Sequence, residues 1–162
     1  MKRVLVTGAA GFIGRQTLPF LRARGFEVHA ADHRSVGAPD VVEHEVDLRD
    51  GRAVERLVAA VHPTHVLHLA WCTAHGEFWN SSENLDWVAG GVALIRAVEK
   101  TGGGRIVAAG SSAEYGAAGR CVEDETPIEP GTLYGTAKNA FRELLFARAR
   151  LGGIQAAWGR VF

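Results

Sequence analysis

The sequence predicts a doubly wound α/β fold, in which a parallel sheet is covered by helices on both faces. Apolar runs of strand length alternate with longer stretches of helical spacing, a pattern typical of a parallel sheet. A glycine-rich turn lies directly behind the first apolar run, where such folds bind phosphate. The chain has 162 residues, 47% of them hydrophobic, which suits one domain with a sizeable core.

The strands are predicted from short apolar runs bounded by turn residues. They span residues 4–7, 27–32, 41–46, 66–70, 105–109 and 154–161. The last run has the character of a buried strand, and nothing follows it that would cover it. We therefore expect either that the sequence is a fragment or that another chain completes the sheet.

The helices are predicted from apolar residues that recur every three or four positions. They span residues 12–24, 50–60, 82–100 and 133–150. In the first helix Ile13, Leu18 and Leu21 can share an inward face, and Gly25 ends the helix. Pro19 conflicts with this assignment, because proline lacks the N–H that bonds back one turn. We expect it to bend the helix or to limit where the helix starts.

The charge balance and the cysteines limit the class of protein. The chain has 18 basic and 18 acidic residues, so no charge excess attracts nucleic acid or a membrane surface, and a small molecule is the expected partner. The N-terminal apolar run is too short for a signal peptide, and no apolar stretch is long enough for a membrane helix. Cys72 and Cys121 lack the spacing of a disulfide framework or a metal site, which indicates reduced thiols in a cytoplasmic protein.

Three histidines, His62, His65 and His68, have a spacing that resembles a metal motif. Pro63 breaks any helix that would align the three rings, and along a strand His65 and His68 point to opposite faces. We therefore predict no metal site.

The segment TGAAGFIG, residues 7–14, places three glycines at a spacing suited to a pyrophosphate. Gly8 permits the tight turn, Gly11 lets the backbone approach the phosphates, and Gly14 lets the helix pack close to the sheet. Asp32 closes the second strand, where a carboxylate accepts hydrogen bonds from an adenosine ribose; the alternative is an exposed loop carboxylate. An acidic group there repels a 2′-phosphate and favours NAD over NADP, whereas the guanidinium of Arg34 would attract that phosphate.

Tyr134 and Lys138 lie at positions i and i+4 of a predicted helix and therefore share a face. The chain has two tyrosines and three lysines, so chance expects only about 0.04 such pairs. Tyrosine is a poor base at neutral pH, but a neighbouring ammonium and the positive charge of an oxidised nicotinamide both lower the pKa of a phenol. Tyr134 can then exchange a proton with an alcohol or a carbonyl.

Two serines, Ser111 and Ser112, follow the fifth predicted strand. Their hydroxyls emerge at the same carboxyl edge of the sheet as the glycine turn. One of them can hydrogen-bond the reacting oxygen; alternatively, the pair belongs to a loop or caps a helix.

Together these motifs resemble those of the extended short-chain dehydrogenase/reductases, in the NAD-dependent epimerase/dehydratase family that acts on nucleotide sugars. The likeness covers essentially the whole chain in the right order, and in that family the glycine spacing is GxxGxxG. The motifs that carry it are TGAAGFIG, Asp32, Asp47-Leu48, His68-Leu69-Ala70, SSAEYG at residues 111–116 and YGTAK at residues 134–138. The resemblance implies a Rossmann-type domain that binds NAD.

The resemblance also implies roles for individual residues. The implied catalytic residues are Ser111, Tyr134 and Lys138, with Ser112 as the alternative serine. Asp47 and Leu48 would flank the adenine, and Lys138 would hold the nicotinamide ribose and tune Tyr134. Together with Arg34, the expected cofactor contacts are Gly8, Gly11, Phe12, Ile13, Gly14, Asp32, Asp47, Leu48, Leu69, Ala70, Trp71, Asn84, Tyr134, Lys138 and Phe162.

The chain departs from the family pattern at several positions. Trp71 stands where the family usually has a small residue, so we expect it to crowd or reshape the cofactor pocket. The sugar 4,6-dehydratases carry an acidic pair after the catalytic serine or threonine; here Ser112 and Ala113 stand there, which argues against dehydration. Glu114 comes one place too late for that role and is interpreted as a packing or surface residue. Trp79, Trp87 and Trp158 are likewise interpreted as packing residues.

Family members are roughly twice as long and carry a C-terminal lobe that binds the nucleotide sugar. We therefore predict that the natural protein is longer, and that these 162 residues alone bind cofactor poorly and turn over little or nothing. The intact mass of the purified protein tests this.

The predicted activity is that of a nucleotide-sugar epimerase or a 4-ketoreductase, between which the sequence does not decide. One alternative is a dinucleotide sensor without turnover, although a sensor has no need of a proton-transfer tyrosine. Another is a scaffold role for the helices at residues 82–100 and 133–150. The resemblance implies that these helices pair in a homodimer, so this role is compatible with catalysis.

Overall fold

Six parallel strands form a single sheet in the order β3-β2-β1-β4-β5-β6 in the computed structural model, which describes residues 2–74, 76–117 and 119–162. The strands are β1 (Arg3–Thr7), β2 (Glu27–Asp32), β3 (Val42–Glu45), β4 (His65–His68), β5 (Gly104–Ser111) and β6 (Ile154–Val161). The helices are α1 (Phe12–Ala23), α2 (Gly51–Val61), α3 (Glu83–Lys100) and α4 (Leu133–Arg150), and a short 3₁₀ helix spans Ser112–Tyr115. The predicted doubly wound architecture is confirmed.

Two hydrophobic cores cover the two faces of the sheet. On one face, α2, α3 and α4 pack on Leu5, Val66 and Ile106. On the other face, α1 inserts Leu18 against Val4 and its neighbours. Adjacent residues of β1 thus enter opposite cores, because successive side chains of a strand point to opposite faces.

The strand order places the candidate site. The chain moves outward from β1 to β2 and β3 and then returns to β4 on the other side of β1. The loops after β1 and β4 therefore diverge at the carboxyl edge and leave a crevice between them, which is where open α/β sheets bind ligands.

Pro19 does not limit where α1 starts, since the helix begins at Phe12 and continues through Pro19. Pro19 is exposed, so the carbonyl that loses its intrahelical partner can bond to water instead. Ile13 does not join the inward face with Leu18 but is 39% exposed.

The interpretation of the last strand as buried is also wrong. β6 pairs with β5 from Ile154 to Val161, but its residues alternate between more buried and exposed positions. The residues alternate because successive side chains of a strand point to opposite faces, and α4 packs against one face of β6. None of the helices in the described ranges is long and apolar enough to span a membrane.

Candidate functional site

A cavity of about 740 Å³ opens at the carboxyl edge of the sheet, between the loops that follow β1, β2 and β4. Its volume is in the range of small-molecule and cofactor sites. Twelve predicted cofactor contacts line it, namely Gly8, Gly11, Phe12, Ile13, Gly14, Asp32, Arg34, Asp47, Leu48, Leu69, Ala70 and Trp71. Residues far apart in sequence are therefore brought together on one surface.

The glycine turn is shaped by contacts that exclude side chains. Gly8 has a φ of +70°, and a Cβ atom there would lie 2.7 Å from the backbone nitrogen of Ala70. A Cβ atom on Gly14 would lie 2.3 Å from the carbonyl oxygen of Gly8. The turn thus lies against both α1 and the loop that follows β4, and larger residues would push these elements apart.

The N-terminus of α1 is open to an anion. Gly11 is its N-cap, no acidic residue lies in the first turn, and no side chain in the part of the chain that the structure describes caps the first backbone N–H groups. Uncapped N–H groups and the helix dipole together stabilise a negative charge. The turn therefore has the geometry and charge of a phosphate site.

Asp32 is buried beside this turn, so the alternative of an exposed loop carboxylate is wrong. Its Oδ2 accepts a hydrogen bond from the Ala10 backbone N–H at 3.0 Å. Its Oδ1 lies 2.9 Å from Nδ1 of His33, outside hydrogen-bond geometry, and has no hydrogen-bond partner among the described residues. A buried oxygen without a donor is costly, so Asp32 fits a ligand that brings a hydroxyl to this position.

The mouth of the cavity carries a charged network that the sequence did not predict. Arg49 bonds to Asp47 through its side chain and backbone and approaches Glu83 at 3.2 Å. The hydrogen bonds from Arg49 lower the pKa of the Asp47 carboxyl below its ordinary value. Arg49 and Glu83 line the cavity but belong to no sequence motif, so the sequence has no signal that identifies them as cavity residues.

The predicted catalytic side chains lie together next to the cavity without lining it. Tyr134 and Lys138 are buried on α4, and the Ser111 side chain is near enough to the Tyr134 phenol to act on its pKa. The Ser111 Oγ accepts a hydrogen bond from the Ala113 N–H, so the alternative prediction of a helix cap is confirmed. The hydroxyl of Ser111 and the phenol of Tyr134 can therefore contact one reacting oxygen.

The electrostatics of this pair differ from the sequence-based prediction. Burial raises the pKa of Tyr134 above its ordinary value, and the Ser111 side chain opposes that shift. Burial also lowers the pKa of Lys138 to about 7, opposed by the charge of Glu114. The Lys138 ammonium lies over the Tyr134 ring, 5.9 Å from its centroid, and donates to the Ala109 carbonyl at 3.0 Å. It therefore does not lower the tyrosine pKa here.

Trp71 is held in the wall of the cavity by an aromatic and polar shell. Its indole N–H donates to Asn84 Oδ1 at 2.8 Å, and the Lys138 ammonium lies 4.0 Å from its ring centroid. Its ring also stacks with Trp87 at 6.2 Å. Trp87 lines the cavity as well, so its interpretation as a packing residue was incomplete.

Four predicted cofactor contacts lie outside the cavity lining: Tyr134 and Lys138, described above, and Asn84 and Phe162. Asn84 is buried and satisfied, since its amide donates to the carbonyls of Phe78 and Ser81. Phe162 is 80% exposed at the end of β6 and stacks on Tyr115.

Glu114 is fully buried, so the alternative of a surface residue is wrong. Its carboxylate accepts hydrogen bonds from the Ser111 backbone N–H at 2.8 Å, from the Trp158 indole and from Arg160 at 2.8 Å. Arg142 approaches it from α4 at 3.9 Å. Glu114 thereby joins the end of β5 to β6 and α4 and holds the backbone of Ser111.

His68 is a buried histidine under the site. Its Nδ1 lies 2.7 Å from the Thr7 hydroxyl, and its ring packs edge-on to Phe141. Burial, with a smaller effect of the Lys138 charge, lowers its pKa from 6.5 to about 3. The folded protein therefore keeps this ring neutral.

We expect His68 to make the protein less stable as pH falls. Between pH 6.5 and about 3 the unfolded chain binds a proton that the folded chain does not. The free energy of unfolding then falls by up to about 1.4 kcal/mol per pH unit. Urea unfolding of wild type and His68→Asn from pH 8 to 5 measures this contribution, and the free energy of unfolding of the variant should depend less on pH.

His62→Asn is the control. His62 is exposed and has a φ of +47°, which asparagine tolerates. An equal loss of pH dependence in this variant would contradict the assignment of the effect to His68.

The comparisons with known proteins agree with this geometry. The sequence model described as "NAD dependent epimerase/dehydratase family" matches residues 4–162. A UDP-glucose 4-epimerase of Neisseria meningitidis serogroup C is 28% identical over 163 residues, which cover 90% of this chain and 48% of that protein.

Solved structures match over the whole fold. The Thermus thermophilus UDP-glucose 4-epimerase complex with NAD has a TM-score of 0.80 and 31% identity, covering 98% of this chain and 54% of that chain. The UDP-glucose 4-epimerase from Stenotrophomonas maltophila with bound NAD and formylated UDP-arabinopyranose has a TM-score of 0.84 and 26% identity, covering 99% and 52%. This chain spans about half the length of these relatives.

Proposed function

Because the chain belongs to the NAD-dependent epimerase/dehydratase family, we propose that it is the NAD-binding part of a nucleotide-sugar 4-epimerase. The observation that carries the proposal is the convergence of Ser111, Tyr134 and Lys138 beside a cavity with an open phosphate site and an unsatisfied Asp32 oxygen. The similar proteins with bound NAD and UDP-sugar compounds support it.

The chain's own residues fit a dinucleotide. The glycine turn and the N-terminus of α1 would hold the pyrophosphate, and Asp32 would accept a hydrogen bond from the adenosine ribose. The acidic Asp32 opposes a 2′-phosphate, so we propose NAD rather than NADP. When bound, NAD supplies the hydride acceptor and donor of the reaction.

The three polar side chains would handle the proton and the sugar oxygen. Tyr134 would exchange a proton with the sugar hydroxyl, and Ser111 would hydrogen-bond the same oxygen. Burial keeps Tyr134 protonated at neutral pH, so it is ready to act as the acid when a keto group is reduced. Lys138, with a pKa of about 7, would become fully charged once a polar ligand replaces part of its apolar surroundings.

A one-way 4-ketoreductase would use the same residues, so product analysis must separate the two activities. We propose incubation of the complete protein with a panel of nucleotide sugars, including UDP-glucose, together with NAD or NADP in each oxidation state. An epimerase interconverts two sugars without net change in nicotinamide absorbance. A reductase consumes one reduced cofactor per sugar.

The proposal fails if no nucleotide sugar is converted with any cofactor. Binding of NAD without any conversion would instead favour the sensor alternative. We also propose a cytoplasmic homodimer that pairs through α3 and α4, which sedimentation of the complete protein tests.

A further inference from the structure

Trp71 separates the cavity from the catalytic side chains. It lines the cavity, whereas Tyr134, Lys138 and Asn84 do not. Yet it contacts all three: its indole N–H bonds to Asn84, its ring lies under the Lys138 ammonium, and it meets the Tyr134 ring edge-on at 6.4 Å. Any ligand that passes from the phosphate turn to Tyr134 along the cavity therefore meets this indole.

The Trp71 indole is held in place by its neighbours. Trp71 is only 9% exposed, and the Asn84 amide that accepts its hydrogen bond is itself fixed by two backbone carbonyls. The Lys138 ammonium over its face adds an attraction that holds the ring where it is. Removing the indole from this position thus breaks a buried hydrogen bond and a cation–π contact together.

The Lys138 ammonium is held by contacts with the same group of residues. Its ammonium donates to the carbonyl of Ala109, a residue that lines the cavity, while the Trp71 ring covers it. Its charge is therefore directed to protein atoms and not to the cavity.

We propose that Trp71 closes the nicotinamide end of the cavity, so that this form of the protein accepts the ADP-ribose portion of a dinucleotide and admits the nicotinamide only when the indole is displaced. The inference rests on the proposed function, because it presumes that the cavity binds a dinucleotide. It makes Trp71 a residue that determines how much of the cofactor is recognised. The lowered pKa of Lys138 accords with a lysine sealed behind an indole.

The test compares the dissociation constants of NAD⁺ and ADP-ribose by calorimetry in the complete protein. With Trp71 in place the nicotinamide gains no contact, so wild type should bind both ligands within about threefold of each other. Trp71→Ala opens the end of the cavity and should raise the affinity for NAD⁺ about tenfold relative to ADP-ribose. Trp71→Leu, which keeps more of the apolar volume, serves if the alanine variant fails to fold.

Asp32→Ala is the matched control. Asp32 would contact the adenosine ribose, which both ligands share, so this variant should weaken both and leave their ratio unchanged. The inference is overturned if wild type prefers NAD⁺ by clearly more than threefold, or if the ratio is the same in wild type and the Trp71 variants. Binding of neither ligand to wild type would overturn the proposed function itself, and the inference with it.

Discussion

Tyr134→Phe is expected to reduce nucleotide-sugar turnover by about 10²–10⁴-fold, the range typical of a lost general acid or base. The variant removes one hydroxyl from a ring that packs among Trp71, Phe78 and Trp79. Phenylalanine keeps those ring contacts, so the fold and the cavity should not change. NAD affinity should stay within about twofold of wild type, because the phenol lies outside the cavity lining.

Steady-state kinetics with the active nucleotide sugar, paired with calorimetric binding of NAD, measures both effects. Tyr115→Phe is a suitable control. Tyr115 is the other tyrosine of the chain, it is also buried, and its hydroxyl accepts a hydrogen bond from Arg160 at 3.0 Å. It lies outside the proposed machinery, so turnover should persist. Full activity of the Tyr134 variant would exclude proton transfer by this residue.

Glu114→Ala is expected to destabilise the protein by about 3–5 kcal/mol, the effect of removing one partner from a buried ion pair. The substitution would leave the Arg160 guanidinium without its partner carboxylate, in a side chain that is only 14% exposed. It would also leave the Ser111 backbone N–H and the Trp158 indole without their acceptor. Because these partners lie on β5 and β6, the edge strand should detach first.

Urea unfolding at neutral pH gives the change in free energy. Glu143→Ala is the matched control, since Glu143 pairs with the same Arg142 that approaches Glu114 but is 57% exposed. An exposed pair contributes about 0–1 kcal/mol, so this variant should be close to wild type. Equal stabilities of the two variants would mean that the Glu114 cluster does not hold β6.

Much of the secondary structure could be predicted, because its signals are local. The bounds of β2, α4 and β6 agree with those predicted, and β4 alone ends two residues early, at His68. Apolar periodicity and glycine turns determine these elements within a few residues. The cavity could be anticipated for the same reason: a glycine turn behind the first strand and an acidic residue closing the second must meet at one edge of a parallel sheet.

The errors and the open alternatives concern residues whose surroundings come from distant segments. The sequence leaves Glu114 as either a packing or a surface residue, and only its hydrogen bonds to Trp158 and Arg160 of β6 decide between the two. Trp87 reads as a packing residue until α3 brings it against Trp71 at the cavity.

The sequence by itself therefore determined the order of the elements, and it identified the glycine turn, the acidic residue that closes β2 and the Tyr134/Lys138 pair as candidate site residues. Each of these depends on spacing within one segment or on the rule that parallel strands end at one edge. Only the tertiary structure decided the direction in which the pKa of each member of that pair is shifted, and the contacts that Trp71 makes with both of them. Burial and contacts across α3, α4 and β5 set these properties, because desolvation depends on every segment that packs around a group and not on its neighbours in sequence.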